Sequence, residues 1–178
     1  IPIPDNVTEI GSHAFYGCTS LASITIPDGV TKIGSHAFYS CDKLASITIP
    51  DNVTEINDYT FSCCDNLVNI SIPDNVTKIG EYAFDGCASL TDMTIPDSVT
   101  AIGINAFSSC VNLTSVGITD IAAWCNISFK AWSDSNPLSR KDNLYINGEK
   151  VTDLVIPNGV TKISTYAFCN CNSLKSVV

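Results

Sequence analysis

Apolar and polar positions recur along this chain with a period longer than one helix or strand requires. The tripeptide Ile-Pro-Asp opens five copies and Ile-Pro-Asn a sixth, and the copies begin at residues 3, 26, 49, 72, 95 and 156. The shared pattern is I-P-D-x-V-T-x-I-G-x-x-A-F-x-x-C-x-x-L-x-x-I-x. One such unit buries too little apolar surface to offset the entropy lost on ordering it. The repeats must therefore stack and share a core, as in a solenoid.

Each repeat divides into three predicted segments. Leu44–Ile49 has apolar residues at its first, fourth and sixth positions, the spacing of a leucine-rich-repeat strand, and Pro50 ends it because proline has no N–H. Residues 53–56 are long enough for a second short extended run. The slot of Gly34 holds glycine in four of six copies, which suggests a positive φ. Residues 35–41 are left for one turn of helix.

Residues 118–155 break the repeat. This stretch has the length of one repeat plus about fifteen more positions, which predicts one expanded coil. Thr119 or Asp120 can cap a short helix whose apolar residues begin at Ile121. Residues 144–151 contain Asn-Gly at their centre, which is typical of a β-hairpin with a type I′ turn.

Composition excludes several function classes. Nine basic against eighteen acidic residues give a net charge of −9, so binding to nucleic acid is not expected. No apolar run approaches the ~18 residues of a membrane helix, so we expect no membrane insertion in this segment. No nucleophile elbow, zinc-protease motif or phosphate-binding loop occurs, so we expect neither an enzyme nor a cofactor.

Three periodic columns carry side chains of types that can form disulfides or bind metal ions. Six of the nine cysteines share one column, which predicts reduced, buried thiols, because parallel Cβ vectors suit a disulfide poorly. Whether Cys63, Cys125 or Cys169 forms a disulfide stays open. His13 and His36 share a column with tyrosines, and a half-buried face is favoured over a metal site. The aspartates that follow each proline either cap their turns or form weak calcium sites, and capping is favoured.

Two groups of residues are candidates for ligand binding. The first lies between the apolar strand positions, on the face expected to be concave, and consists of Thr25, Thr48, Asn69, Ser71, Asp92 and Thr94. The second consists of the insert aromatics Phe129, Trp132 and Tyr145. Aromatic anchors often dominate protein interfaces. In the alternative interpretation these aromatics cover the solenoid core. Trp124 lies on the apolar helical face, so Trp132 is the better candidate for exposure.

The motif I-P-x-x-V-T-x-I-G-x-x-A-F-x-x-C-x-x-L-x-x-I, almost intact over residues 3–24, 26–47 and 72–90, resembles the BspA-like subfamily of leucine-rich repeats. The resemblance implies a solenoid with a β-sheet on its concave face. It also implies a surface-exposed bacterial or mucosal protist protein, with adhesion to matrix proteins such as fibronectin and fibrinogen among the activities linked to the family.

The sequence therefore predicts an α/β leucine-rich-repeat solenoid of six or seven coils, with parallel strands on the concave face and short helical turns opposite. We expect one domain over residues 1–178, cut from a longer array. The expected function is non-enzymatic adhesion to a host or matrix protein or glycan, outside the cell or on its surface. The alternative is a structural spacer that displays other domains, and the oligomeric state is undetermined.

Overall fold

A computed structural model describes residues 2–130, 135–140 and 143–178. The backbone winds as a β-solenoid of about seven turns built on stacked parallel strands. The elements in chain order are β1 (Glu9–Ile10), β2 (Lys32–Ile33), β3 (Ser46–Thr48), β4 (Glu55–Ile56), β5 (Asn69–Ser71), β6 (Lys78–Ile79), β7 (Asp92–Ile95), β8 (Ala101–Ile102), β9 (Ser115–Ile118), α1 (Ile121–Asn126), β10 (Ser128–Phe129), a 3-10 helix (Pro137–Arg140), β11 (Asn143–Ile146), β12 (Glu149–Lys150), β13 (Asp153–Leu154) and β14 (Ser176–Val177).

The leucine-rich-repeat strands β3, β5, β7, β9 and β11 form what we call the main ladder. β3 pairs with β5 in parallel, and β9 pairs in parallel with β7 on one side and β11 on the other. Exposure alternates along each strand: in β7, Asp92 and Thr94 are exposed while Met93 and Ile95 are buried. This alternation is the period-2 pattern of a half-buried strand, and it confirms the predicted stacked strands.

The second extended run of each repeat also forms strands, which confirms that prediction. β1 pairs with β2, and β4, β6, β8 and β10 pair in parallel in that order, and we call these strands the second ladder. The backbone N–H that follows β2, β6, β8 and β10 donates to the preceding coil, as Gly80 does to the Ile56 carbonyl oxygen at 2.7 Å. Asn57 replaces glycine in this slot, and its side-chain amide donates to the Ile33 oxygen at 2.7 Å.

The third side of each coil is a run of β-turns, so the predicted helical turns and the α/β class are not confirmed. In residues 35–41, Tyr39 N–H donates to His36 O within the turn, while Phe38 N–H donates to Thr60 O of the next coil at 2.9 Å. His36 and Ser40 have φ near +58° and +53°. These positive values interrupt any helix. The described helices are α1 and the 3-10 turn alone.

The recurrent glycine is required by close packing, and the predicted positive φ at its slot is wrong. A Cβ on Gly34 would lie 2.4 Å from the backbone N of Ser12 in the preceding coil. The left-handed positions lie instead two residues later, as at His36. Stacked backbones approach so closely at Gly34, Gly80 and Gly103 that a Cβ would clash with the neighbouring coil.

Strand register shows where the extra residues of the irregular coil lie. Met93 pairs with Val116, one repeat length further along the chain. Val116 pairs with Leu144, which lies five positions beyond one repeat length, so that coil contains five extra residues. Leu154 pairs with Val177, again one repeat length away. The step from Leu144 to Leu154 supplies the other ten residues, which completes the expected fifteen.

Both elements predicted inside the irregular coil are confirmed. Asp120 is the N-cap of α1 and its carboxylate accepts from Ala123 N–H at 2.7 Å. β11 and β12 form an antiparallel hairpin. Asn147 and Gly148 have φ of 51° and 83°, the signs of a type I′ turn.

Stacked columns of identical residues fill the core. Phe38, Phe61, Phe84 and Phe107 are almost fully buried, and neighbouring rings lie 5.5–5.6 Å apart in nearly parallel planes. The cysteine column beside them is buried as predicted, except that Cys18 in the first coil is half-buried, and none of the nine cysteines is in a disulfide. The thiol of Cys64 donates to the Phe38 carbonyl oxygen at 3.2 Å, which gives this apolar column a polar function.

Candidate functional site

The main ladder places the predicted concave-face candidates on one exposed surface. Each of them alternates with a core residue, so all point away from the core. These exposed residues are Thr25, Thr48, Asn69, Ser71, Asp92 and Thr94. The bridge between Ser23 and Ser46 extends the same surface into the first coil.

Tyr145 joins this surface as part of the lining of a shallow depression. It pairs with Gly117, which pairs with Thr94, so the three residues form one row across β11, β9 and β7. Gly117 has no side chain between its neighbours, and a Cβ there would lie 2.9 Å from Thr94 Oγ1. The result is a cavity of about 430 Å³ in which Tyr145 is half-buried, with Asp92, Ser115 and Gly148 also in its lining.

A second depression of about 290 Å³ continues the first toward β5. The two share Asp92, Met93 and Thr94, and the second adds Ser71, Asp74 and Thr119. We call the combined depression the main-ladder groove. Its described lining includes two carboxylates, several hydroxyls and one aromatic ring, and no basic side chain. Thr91 Oγ1 donates to Asp92 Oδ2 at 2.9 Å, which orients that carboxylate.

Phe129, a second insert aromatic, does not join this groove. Phe129 is 8% exposed, so the alternative interpretation, in which the aromatic covers the solenoid core, holds at this residue and its candidacy for ligand binding is corrected. It takes the place of Ile102 in the next coil of the second ladder and packs edge-to-face on Trp124 at 5.5 Å. Trp124 is buried on the apolar face of α1, as predicted. Trp132 lies outside the described residues.

Asn136 is a structural residue that the sequence analysis missed. It is 1% exposed, and its Nδ2 donates to the carbonyl oxygens of Tyr166 and Ala167 at 2.6 and 3.0 Å. Its Oδ1 accepts from Leu138 N–H at 2.8 Å. The Asn-Pro pair at 136–137 is the one sequence signal, and it indicates only a turn.

The histidine and tyrosine column is an aromatic stack on the turn side. The rings of His13, His36, Tyr59 and Tyr82 follow one another at 4.5–4.7 Å in nearly parallel planes. Burial and the neighbouring His13 lower the pKa of His36, while Asp58 opposes them. Among the described residues, no three His, Cys, Asp or Glu side chains are grouped as a metal site.

The aspartate that follows each proline is exposed, and the amides beside it bridge coils. Asn52 Nδ2 donates to the Asp28 carbonyl oxygen at 3.0 Å, and Asn75 Nδ2 to that of Asp51 at 2.8 Å. The turn itself is closed by the backbone, as Val53 N–H donates to Pro50 O at 3.0 Å. The bonds seen at this turn therefore come from the asparagine side chains and the backbone.

The stacked parallel strands and the repeated motif define the class of this protein as a leucine-rich-repeat β-solenoid. A family described as BspA type Leucine rich repeat region matches in six copies, over residues 1–136 and 139–178. The chain belongs to this family, which confirms the resemblance drawn from the motif. No curated protein matches the sequence.

Solved bacterial leucine-rich-repeat proteins share the fold. A T. pallidum leucine-rich-repeat protein is 30% identical with a TM-score of 0.64, covering 99% of this chain and 67% of its own. A Bacteroides ovatus protein is 27% identical with a TM-score of 0.57, covering 99% and 62%. A leucine-rich cell surface protein of Faecalibacterium prausnitzii is 28% identical with a TM-score of 0.51, covering 98% and 52%. The chain thus spans between half and two thirds of their lengths.

These similarities define the type of protein and its general role. It is a leucine-rich-repeat protein of the bacterial surface-protein type. Repeats of this class generally mediate protein binding, and the family is typically non-enzymatic. Within the described residues, no helix is long and apolar enough to cross a membrane.

Proposed function

We propose that this chain is a binding segment of a bacterial cell-surface or secreted protein, and that it contacts host or matrix components through the main-ladder groove. The observation that carries the proposal is Tyr145, a half-buried aromatic in the open row made by Gly117 and Thr94. Aromatic anchors with a polar tip are enriched where surfaces bind partners. The similarity to the leucine-rich cell surface protein of F. prausnitzii supports the proposed location at the cell surface.

The rest of the main ladder supports a broad and weak contact. Thr48, Asn69 and Ser71 are exposed side chains on adjacent strands, and none is charged or large. Such a face gains binding strength from many weak contacts repeated along the array, and not from many hot-spot residues. Tyr145 is then the anchor, and the small polar residues are the complementary surface around it.

The test is binding of the purified chain to immobilised fibronectin, fibrinogen and mucin. Thr94→Arg places a large charge in the groove, and Thr54→Arg is the matched control, because Thr54 is also exposed but lies beside the second ladder. We expect Thr94→Arg to weaken binding at least tenfold and Thr54→Arg to leave it unchanged. Equal binding by both variants would refute the groove as the contact surface.

A structural spacer is the second candidate, and the burial of Phe129 favours it. Part of the aromatic insert covers the core, as the spacer interpretation predicts. A spacer has no saturable partner, so the same panel separates the two functions: no binding by the folded wild-type chain would support the spacer.

A further inference from the structure

We propose that the main-ladder groove binds a neutral, hydroxyl-rich glycan, with the ring of Tyr145 as a stacking platform and Asp92 as an acceptor of sugar hydroxyls. This inference rests on the proposed function, since it names the ligand class of the same groove. It is carried by the combination of a cavity, one aromatic ring, hydroxyl side chains and an oriented carboxylate.

The groove offers side chains rather than backbone groups to a ligand. β9 is paired on both sides, by β7 and β11, so its backbone donors and acceptors are used within the ladder. A partner that binds by adding a β-strand needs an unpaired strand edge, which β9 does not provide. Recognition around the Tyr145 row is therefore assigned to the side chains that line the depression.

Charge and polarity narrow the ligand class further. The described lining carries Asp74 and Asp92 and no basic residue, within a chain of net charge −9. Phosphate, sulfate and acidic sugars would be repelled. Met93 is buried at the floor, so the surface has no deep apolar pocket for an aliphatic or aromatic anchor.

A pyranose ring has the chemical groups that the side chains of this groove can bind. One of its faces carries C–H groups that stack on an aromatic ring, and its edges carry hydroxyls that both donate and accept hydrogen bonds. Thr94 lies in the Tyr145 row and Ser115 lies in the neighbouring row, and both can exchange hydrogen bonds with such hydroxyls. The Asp92 carboxylate accepts from hydroxyls, and bonds to a charged acceptor are stronger than neutral ones. The length of the groove over two adjoining depressions suits more than one sugar unit.

The test uses mannotriose, cellotriose and galactotriose, with binding to the full 178-residue chain followed by saturation-transfer NMR and by titration. We expect at least one trisaccharide to bind. Tyr145→Ala should then weaken that binding at least tenfold, Tyr145→Phe less than threefold because the ring remains, and Asp92→Asn about fivefold. Tyr16→Ala is the control, because Tyr16 is an exposed tyrosine of the turn side, 52% accessible.

Three results would overturn the glycan assignment. These are no binding of any trisaccharide, binding that Tyr145→Ala leaves unchanged, and salt-sensitive binding of an octalysine peptide with no trisaccharide binding, which would assign the groove to a cationic peptide. Periodate oxidation of mucin and fibronectin separates this inference from the proposed function. Adhesion that survives oxidation but is lost in Thr94→Arg would reject the glycan and keep the groove. Adhesion unaffected by Thr94→Arg would reject the groove itself.

Discussion

At the scale of single residues, two adjacent cysteines have opposite environments. Cys64 is fully buried and bonded to the Phe38 carbonyl oxygen, whereas Cys63 is half-buried on the turn side with φ of 58°. Burial raises the pKa of the Cys64 thiol, and it raises that of Cys41 to about 11. At pH 8 only about one Cys41 thiol in a thousand is therefore the reactive thiolate.

We expect iodoacetamide at pH 8 to alkylate Cys63 more than tenfold faster than Cys64 in the folded chain. Pulse labelling followed by peptide mass spectrometry measures both rates in one sample, since the two residues share a peptide region. Labelling in denaturant is the control and should modify all nine cysteines. Equal rates in the folded protein would contradict the burial of the column.

His36 gives the stack a predictable pH dependence. Its folded-state pKa lies below the unfolded value of 6.5, mainly because of burial and then because of His13, with Asp58 acting in the opposite direction. The unfolded chain therefore binds the proton first as the pH falls. The stabilisation from neutral His36 is complete above 6.5 and decreases from there down to the folded pKa.

His36→Tyr tests this, because Tyr59 and Tyr82 occupy the same slot in the next coils. We expect the melting temperature of the wild type to fall more between pH 7.5 and pH 5.5 than that of the variant. Carboxylates elsewhere titrate in both proteins, so the difference between the two curves isolates His36. Parallel curves would show that His36 does not titrate differently on folding.

At the scale of elements, the glycine slot sets how closely coils stack. A Cβ on Gly103 would lie 2.5 Å from the Glu81 backbone N, and backbone cannot move aside cheaply. Gly11 holds the same slot in the first coil and has nothing within 4 Å. We expect Gly103→Ala to cost about 2 kcal/mol or more in urea unfolding and Gly11→Ala to be neutral. Similar losses in both would contradict the close-packing explanation.

The repeated elements were predictable where the physics is local. The strand spacing of Leu44–Ile49, the Asp120 cap and the Asn147-Gly148 turn follow from side-chain periodicity and turn chemistry. The β-turns of residues 35–41 were not predictable, because their backbone donates to the next coil and takes positive φ at His36 despite its side chain. Inter-coil bonding and ring stacking outweigh the local preference there.

The candidate site was predictable in part for the same reason. Asp92 and Thr94 followed from alternation along one strand, and Tyr145 from the hairpin. The placement of Thr94 and Tyr145 in one row required the register of β7, β9 and β11, which depends on five extra residues in the coil between β9 and β11. Phe129 could not be separated from Tyr145 by sequence, because both are single aromatics in short strands.

At the scale of the whole molecule, the irregular coil fastens the last repeat to the solenoid. Trp124 Nε1 donates to the Ala167 carbonyl oxygen at 2.8 Å, and Asn136 bonds both Tyr166 and Ala167. We expect Asn136→Ala to cost about 2 kcal/mol, because it removes three hydrogen bonds and leaves the buried Leu138 N–H without its acceptor. Hydrogen exchange in the Asn136→Ala variant should accelerate in residues 156–178 and stay unchanged in residues 26–95.

The control is Asn112→Ala, which removes an exposed hydrogen bond to Ala88 O and should cost under ~1 kcal/mol. Uniform acceleration along the chain would contradict this local fastening.

The ten extra residues between Leu144 and Leu154 are an insertion that the solenoid does not need. Removing residues 144–153 joins Asn143 to Leu154, and the new sequence N-L-V-I-P-N-G-V restores the spacing of a regular repeat. Leu154 would then replace Leu144 beside Val116, and its pairing with Val177 would be kept. We expect a cooperatively folded chain by circular dichroism that has lost trisaccharide binding together with Tyr145. Retained binding would place the site elsewhere on the ladder, and failure to fold would show that the hairpin is part of the coil. The repeat architecture and the binding anchor are then separable, because the anchor Tyr145 lies within the ten residues that are removed.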